Sequence, residues 1–460
     1  MTENELKRSV LTVTAFASFL TPFMGSAVNL ALPSIGEEFS LNAVTLNWII
    51  SSYMLTTSML LLPAGRIGDI MGRRKIFTAG LVIFTISMIL LTFTPGIRWL
   101  IGTRILQGIG GAMMFGTNMA ILTSVFPPGE RGRAMGINVT AVYVGLASGP
   151  FLGGVLTKYL GWRSIFAFLI PMGIISLILI RSRMKREWAE ARGESFDWAG
   201  AVIYGVSMAA MMYGFSKLPS LQGWIITGAG MVLMPLFVIR EKHAVHPLFD
   251  MTLISGNRVF AFSSLAALIH YAATSAIGFF LSLFLQYIKD MGPRDAGFVL
   301  MSWPLTMALI SPAAGKLSDH HNPGVLASIG MAVTSVGLII LCFLTEQTSV
   351  VTIVAVLVIM GAGFSLFSSP NSNAIMSSVE KRQLGNASGM LGTMRNVGQT
   401  FSMAIALMLL AIYMGQEKIN PSNYLQLMNS MKSGFIVFSI LCFAGIFASL
   451  ARNRSLRKTA

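Results

Sequence analysis

The sequence predicts an all-α polytopic membrane protein of fourteen transmembrane helices, two six-helix bundles with two linking helices between them. Three observations predict it. Of 460 residues, 54% are hydrophobic and 11% charged; a soluble globule carries about 25% charged residues, so much of this surface must face something other than water. Apolar runs of about 20 residues, the length at which a helix crosses ~30 Å of hydrocarbon, recur from end to end. The segment Gly65-Arg66-Ile67-Gly68-Asp69-Ile70-Met71-Gly72-Arg73-Arg74-Lys75 returns in part as Gly315-Lys316-Leu317-Ser318-Asp319, 250 residues later, and each copy reads as a loop between two apolar runs.

Those runs place spans at 10–33, 45–64, 76–96, 99–123, 134–160, 164–183, 198–217, 222–240, 259–287, 295–315, 325–344, 349–372, 387–415 and 430–451. The first is too long for a signal-peptide core and is followed at once by others, so it reads as a retained helix. An even number of spans leaves both termini on one side. Loops and tails on that side hold 23 Lys and Arg against 8 on the other, which places the termini in the cytoplasm of a cell-membrane protein. Gly136 and Gly145 at the head of span five match Gly389 and Gly398 at the head of span thirteen, at an offset of 253. Six spans need only the first 183 residues, so that offset leaves room for two inserted helices. The expected units are 1–183, a six-helix bundle; 184–258, the two linking helices with flanking loops; and 259–460, the second bundle and a short tail. The stretch Lys185–Asp197 reads as an amphipathic connector.

Several function classes are excluded early. The net charge of +15 is scattered through short loops rather than gathered on one patch, which argues against nucleic acid. Cys342 and Cys442 both lie in apolar runs, so neither a disulfide nor a metal site is expected. No G-x-x-x-x-G-K-[ST] motif and no convergent acid, base or metal cluster occurs, so neither ATP drive, a cofactor nor an enzyme is expected. A sensor's soluble output domain has no length to occupy.

Order and side now give the motifs meaning. Gly65–Lys75 resembles the loop G-x-L-a-D-x-x-G-R-[RK]-x between helices two and three of the major facilitator superfamily, with Asp69, Gly72 and Arg73 in place and Ile70 where arginine is common. Gly145-Leu146-Ala147-Ser148-Gly149-Pro150-Phe151-Leu152-Gly153-Gly154 is similar to the antiporter signature of helix five. Arg104-Ile105-Leu106-Gln107-Gly108-Ile109-Gly110-Gly111 resembles the helix-four motif. Gly161-Trp162-Arg163, Phe196-Asp197-Trp198-Ala199-Gly200 and Met394-Arg395-Asn396-Val397-Gly398 resemble markers of the fourteen-span drug:proton antiporters. The likeness implies proton-coupled export of hydrophobic or amphipathic small molecules by alternating access, with a small-molecule substrate, protons and the lipid bilayer as partners, and a monomer. An importer, uniporter or anion or metabolite exchanger on the same fold is the alternative. One departure bears on the choice. Helix one of that branch opens D-x-T-I-V-N-x-A-L-P; here Met24 stands at the acidic position, and none of the 18 Asp and Glu falls deep within a span.

The candidate residues follow from their chemistry. Asp69 and Asp319, with Gly65, Gly72, Arg73 and Gly315, form the gating loops; a carboxylate there caps a helix N-terminus or pairs with Arg73, Arg131 or Arg133. Gly145, Gly149, Gly153 and Gly154 form a small-residue stripe that lets a partner helix approach, and Pro150 deletes a backbone hydrogen bond. A guanidinium inside a span is costly unless paired or hydrated, so Arg104 needs carbonyls, amides such as Asn29, water or an anionic substrate. The substrate and proton pathway is assigned to Asn29, Arg104, Gln107, His270, Tyr271, Arg395, Asn396 and Gln399. His270 is the one group within a span that titrates near neutral pH. The cavity is expected between spans one, two, four, five, nine, ten, twelve and thirteen. Pro370-Asn371-Ser372-Asn373 reads as a gate hinge or a helix end, and 31 methionines suit an apolar pocket or ordinary packing.

Overall fold

The computed structural model describes residues 3–248, 252–379, 384–415 and 417–452. Helices fill it: α1 (Glu3–Phe39), α2 (Ala43–Met71), α3 (Arg73–Thr92), α4 (Ile97–Val125), α5 (Pro128–Leu160) and α6 (Ser164–Arg183) form the N-terminal half. The linking pair is α7 (Trp198–Ser216) and α8 (Leu221–His243), followed by the short α9 (Thr252–Gly256). The C-terminal half holds α10 (Arg258–Thr274), α11 (Ile277–Leu283), α12 (Pro293–His320), α13 (Pro323–Cys342), α14 (Val350–Ser377), α15 (Leu384–Met414) and α16 (Tyr424–Ala451). Among the described residues, fourteen segments are long and apolar enough to cross a membrane. No strand occurs among the described residues, only an isolated bridge between Asn42 and Lys418.

Polar residues start many of these helices by accepting an orphan N–H. Asn42 accepts from Thr45, Ser220 from Gly223, Asn257 from Phe260 and Ser349 from Thr352. Asp197 caps α7 through the Gly200 N–H and pairs with Arg240 Nη2 at 2.7 Å, which ties α7 to α8. Burial pushes the Asp197 carboxyl up, but the Arg240 guanidinium and the Gly200 N–H outweigh it and hold the group below the usual carboxylate range.

Two sequence expectations need correction. The Gly65–Lys75 stretch is not a loop. Helix α2 runs to Met71 and α3 begins at Arg73, with Gly72 alone between them at φ +118°, a conformation that L side chains rarely adopt. Gly315–Asp319 likewise lies within α12. The apolar runs were shorter than the helices because the helices continue past the hydrocarbon and carry charge on their last turns. Span nine, expected to be continuous, breaks at Ser275–Ala276 and ends in a π-helical turn over Phe284–Ile288. The Ala276 N–H released by that break is taken by Ser402 Oγ of α15 at 2.9 Å.

The duplication is visible in the packing. At Gly108 a Cβ would meet Tyr53 O and Thr56 of α2; at Gly361 it would meet Trp303 O and Thr306 of α12. Gly110 abuts Gly80 O as Gly363 abuts Gly330 O. Gly145 sits on Phe19 O of α1 as Gly398 sits on Leu268 O of α10. Such close backbone crossings are how lipid-embedded helices associate, since hydrocarbon offers them little other drive.

Candidate functional site

The two halves meet on the face opposite the termini. Ser282 Oγ of α11 donates to Asn29 O of α1 at 2.6 Å. Ser58 Oγ of α2 donates to Asn396 O of α15 at 3.0 Å and lies 2.6 Å from Thr400 Oγ1. Nearer that face, Asn47 Nδ2 donates to Met403 O at 3.5 Å. Helix α5 presses on α12 there: a Cβ at Gly154 would stand 2.4 Å from Pro293 O, and one at Gly297 would stand 2.3 Å from Pro150 O. Phe151 packs on Phe298, ring centroids 5.1 Å apart. Toward the termini, Gly136 of α5 and Gly389 and Gly392 of α15 have nothing within 4 Å of a would-be Cβ.

The helix-five stripe therefore divides its work. Gly145, Gly149 and Gly153 pack against α1, at Phe19, Phe23, Ser26 and Ala27, whereas Gly154 and the Pro150 carbonyl face the other half. One helix thus serves both intra-half packing and the seam.

At the terminal face, Arg73 is a hub. Its Nε donates to Asp69 Oδ1 at 2.7 Å, its Nη1 to Ser124 Oγ at 2.8 Å, and its two terminal nitrogens grip Glu190 at 2.7 and 2.9 Å. The Arg73 N–H donates to Trp188 O, the Arg74 N–H to Glu187 Oε1, and the Ala191 N–H to Asp69 O. Arg66 pairs with Glu194. Asp69 thus pairs as expected, but it lies in the last turn of α2 and caps no N-terminus. The side chains of Arg131, Arg133 and Asp319 lie outside the described residues. Residues 185–197, expected as an amphipathic connector, form a non-helical strap bound to the α2–α3 corner. Glu187 and Glu190 were not singled out from sequence; their alternation with Arg and Lys in that connector was the available signal.

Arg104 is fully buried. Its Nε donates to Ile49 O at 3.0 Å, its Nη1 to Gln107 Oε1 at 2.5 Å, and its guanidinium lies 4.7 Å from the Tyr53 ring centroid. Arg104 Nη2 and Gln107 Nε2 have no hydrogen-bond partner among the described residues. Asn29, named as an amide that would satisfy Arg104, instead lies at the α1–α11 contact, its Nδ2 3.6 Å from a would-be Cβ of Gly278. The buried cation is held by a carbonyl, an amide and an aromatic face, with no carboxylate.

His270 is fully buried, its ring 4.0 Å from that of Phe367 and 5.1 Å from Phe364, with Nδ1 3.8 Å from Cys442 Sγ. It sits inside the C-terminal half, apart from the Arg104 cluster. Its neighbour Tyr271 is different: its ring lies 5.5 Å from the Arg395 guanidinium and 5.5 Å from the Phe364 ring, within electrostatic reach of Tyr143 on α5. Asn396 turns its side chain back to Gly392 O at 2.8 Å and joins the seam through its carbonyl, while Gln399 is half-buried beside it. The eight pathway residues therefore fall into separate places: a sealed arginine cluster in one half, an aromatic histidine core in the other, and Tyr271 and Arg395 at the space between.

Two further features escaped sequence reasoning. Tyr204 of α7 donates to Ser58 O at 3.0 Å, so a linking helix touches the seam. Arg452, just past α16, is buried and donates to Ser263 Oγ and Asn371 Oδ1, each at 2.8 Å, and to Pro323 O at 3.2 Å. Asn371 lies inside α14 rather than at its end, and its Nδ2 donates to Ser263 O at 3.1 Å.

The sequence profile of the Major Facilitator Superfamily matches residues 14–261 and 263–459. The chain belongs to this superfamily. It is a multi-pass membrane transporter and not an enzyme. It is 28% identical over 453 residues to the riboflavin transporter RibZ of Clostridioides difficile, covering 98% of both chains. It is 30% identical over 413 residues to the cephamycin export protein CmcT of Amycolatopsis lactamdurans, covering 87% of this chain and 84% of that one. With the multidrug resistance protein Stp of Mycobacterium tuberculosis it shares 28% over 418 residues, 89% and 77% of the two chains. Among solved structures, a tetrameric PepTSo2 crystal structure matches all of this chain and all of its own with a TM-score of 0.69 at 14% identity. That likeness concerns the fold alone.

Proposed function

We propose that this superfamily transporter exports a hydrophobic or amphipathic small molecule by alternating access, in exchange for protons, with its termini in the cytoplasm. The observation that carries the reading is the one-sided seam. α5 meets α12 and α1 meets α11 toward the face opposite the termini, and α2 meets α15 from Asn47 to Leu62, while Gly136 of α5 and Gly389 and Gly392 of α15, toward the terminal face, have no atom within 4 Å of a would-be Cβ. Rocking of one bundle against the other about a fixed central site converts such a state into its opposite. The Arg73 clasp stiffens the end of the N-terminal half that such rocking moves. Relatives named for cephamycin export and multidrug resistance support the outward direction.

A metabolite exchanger is the second reading. It draws support from the membrane arginines, from Met24 in place of an acid, and from a relative named for riboflavin. Both readings are tested by collapse of a preset ΔpH in inverted membrane vesicles. Quench relief on adding lipophilic cations supports proton-coupled drug export. Relief only with neutral or anionic compounds moves the reading to metabolite exchange, and no relief with any compound removes proton coupling.

A further inference from the structure

Arg395 is a cation within a membrane span that has no carboxylate partner among the described residues. It is half-buried about twelve residues into α15, and its guanidinium lies 5.5 Å from the Tyr271 ring centroid. Tyr271 leads to Phe364, ring centroids 5.5 Å apart, and Phe364 to Trp303 of α12 at 6.3 Å. The rings meet edge-on, at 75° and 77°. At the far end of this aromatic run, Trp303 Nε1 is buried with no hydrogen-bond partner. Two donors, one charged, thus bracket three aromatic rings, and Tyr143 of the opposite half lies within electrostatic reach of Tyr271, the ring at the Arg395 end. Every Asp and Glu among the described residues lies at a span end or in a connection, so none of them competes for Arg395 deep in the membrane.

We infer that Arg395, Tyr271, Phe364 and Trp303 form a substrate subsite selective for a planar aromatic molecule bearing an anionic group, with the anion on Arg395. This deepens the transport reading and rests on it. A guanidinium matches a carboxylate or sulfonate by two parallel hydrogen bonds, and the aromatic run supplies faces and edges for a flat ring. Trp303 Nε1 donates to an acceptor on the ring's other side. A cationic molecule at the same place would face uncompensated repulsion from Arg395.

The test uses the reconstituted full chain and two ring-matched probes, 2-naphthalenesulfonate and a naphthyl trimethylammonium ion. Binding and flux are both measured. Wild type is expected to prefer the sulfonate. Arg395→Gln should weaken sulfonate binding at least tenfold, the scale of a lost charge-assisted hydrogen bond, and leave or improve the cation. Arg395→Lys, which keeps charge but not the fork, should fall between. Trp303→Phe should leave 2-naphthalenesulfonate, which has no second acceptor, nearly unchanged and weaken 6-hydroxynaphthalene-2-sulfonate severalfold. Wild type that prefers the cation, or an Arg395→Gln variant that loses both probes equally while Arg395→Lys does the same, overturns the subsite and leaves export standing. Sulfonate binding that depends on Arg395 in a protein that moves neither probe keeps the subsite and removes the export reading.

Discussion

In the N-terminal half, Gly108 of α4 rests on Tyr53 and Thr56 of α2; in the C-terminal half, Gly361 of α14 rests on Trp303 and Thr306 of α12 in the same way. The buried charges do not repeat with these crossings. At the repeat offset of 253, Arg104 corresponds to Leu357, and Arg395 corresponds to Val142. Asn118 donates to Ser18 in the first half as Asn371 donates to Ser263 in the second, yet only Asn371 receives an arginine, Arg452. The first half closes its terminal corner with Arg73, Asp69 and Glu190 instead. Packing is thus duplicated and polar chemistry is not. Small residues at crossings are demanded by each half separately, whereas a charge in the membrane costs several kcal/mol at each occurrence and is kept only where one half has use for it.

Breaking the charged positions should separate the halves most sharply. Arg104→Leu installs in the first half the residue the second already carries. Transport should fall by more than tenfold while thermal stability in detergent holds or rises, since a buried cation without a carboxylate is replaced by an apolar side chain; unchanged flux would sink the assigned role. The crossings should respond alike. Gly110→Ala and Gly363→Ala each push a methyl into a backbone carbonyl, and both should destabilise by similar amounts, on the order of 2 kcal/mol each, seen as matching falls in melting temperature. A large difference between the two would mean that the packing is less symmetric than the distances imply. Arg452→Ala removes the donor to Asn371 and Ser263 and should cost about 1–3 kcal/mol in thermal unfolding, with substrate preference untouched. The smallest effect belongs to Glu190→Gln. It leaves Arg73 bound to Asp69 and Ser124 and removes an ion pair whose acid is largely exposed, so about 1 kcal/mol or less is expected, shrinking further in high salt.

The same contrast explains what was legible in the sequence. Apolar length and the repeated glycines gave fourteen spans and the duplication, because hydrocarbon thickness and close crossings act locally on residue type. Helix ends were read short, since charged last turns such as Gly65–Met71 look like loop when only hydropathy is counted. The break at Ser275 depends on Ser402, more than a hundred residues away, and leaves no local mark. Asn29 and His270 have the chemistry of pathway residues but are turned by packing toward Gly278 and toward Phe367. Trp303 has no local mark that sets it apart from other membrane aromatics, although it stands at the repeat position of Tyr53. Arg452 lay in what reads as a solvated basic tail.

The seam opposite the termini must open for the chain to transport as proposed, and a lock across it tests this most directly. In a background with Cys342 and Cys442 replaced by serine, Phe151→Cys and Phe298→Cys would be bridged by a short thiol cross-linker and flux measured before and after. The cross-linked protein is expected to stop transporting and to recover when a cleavable linker is cut. Full flux with the link in place would contradict alternating access between these two halves.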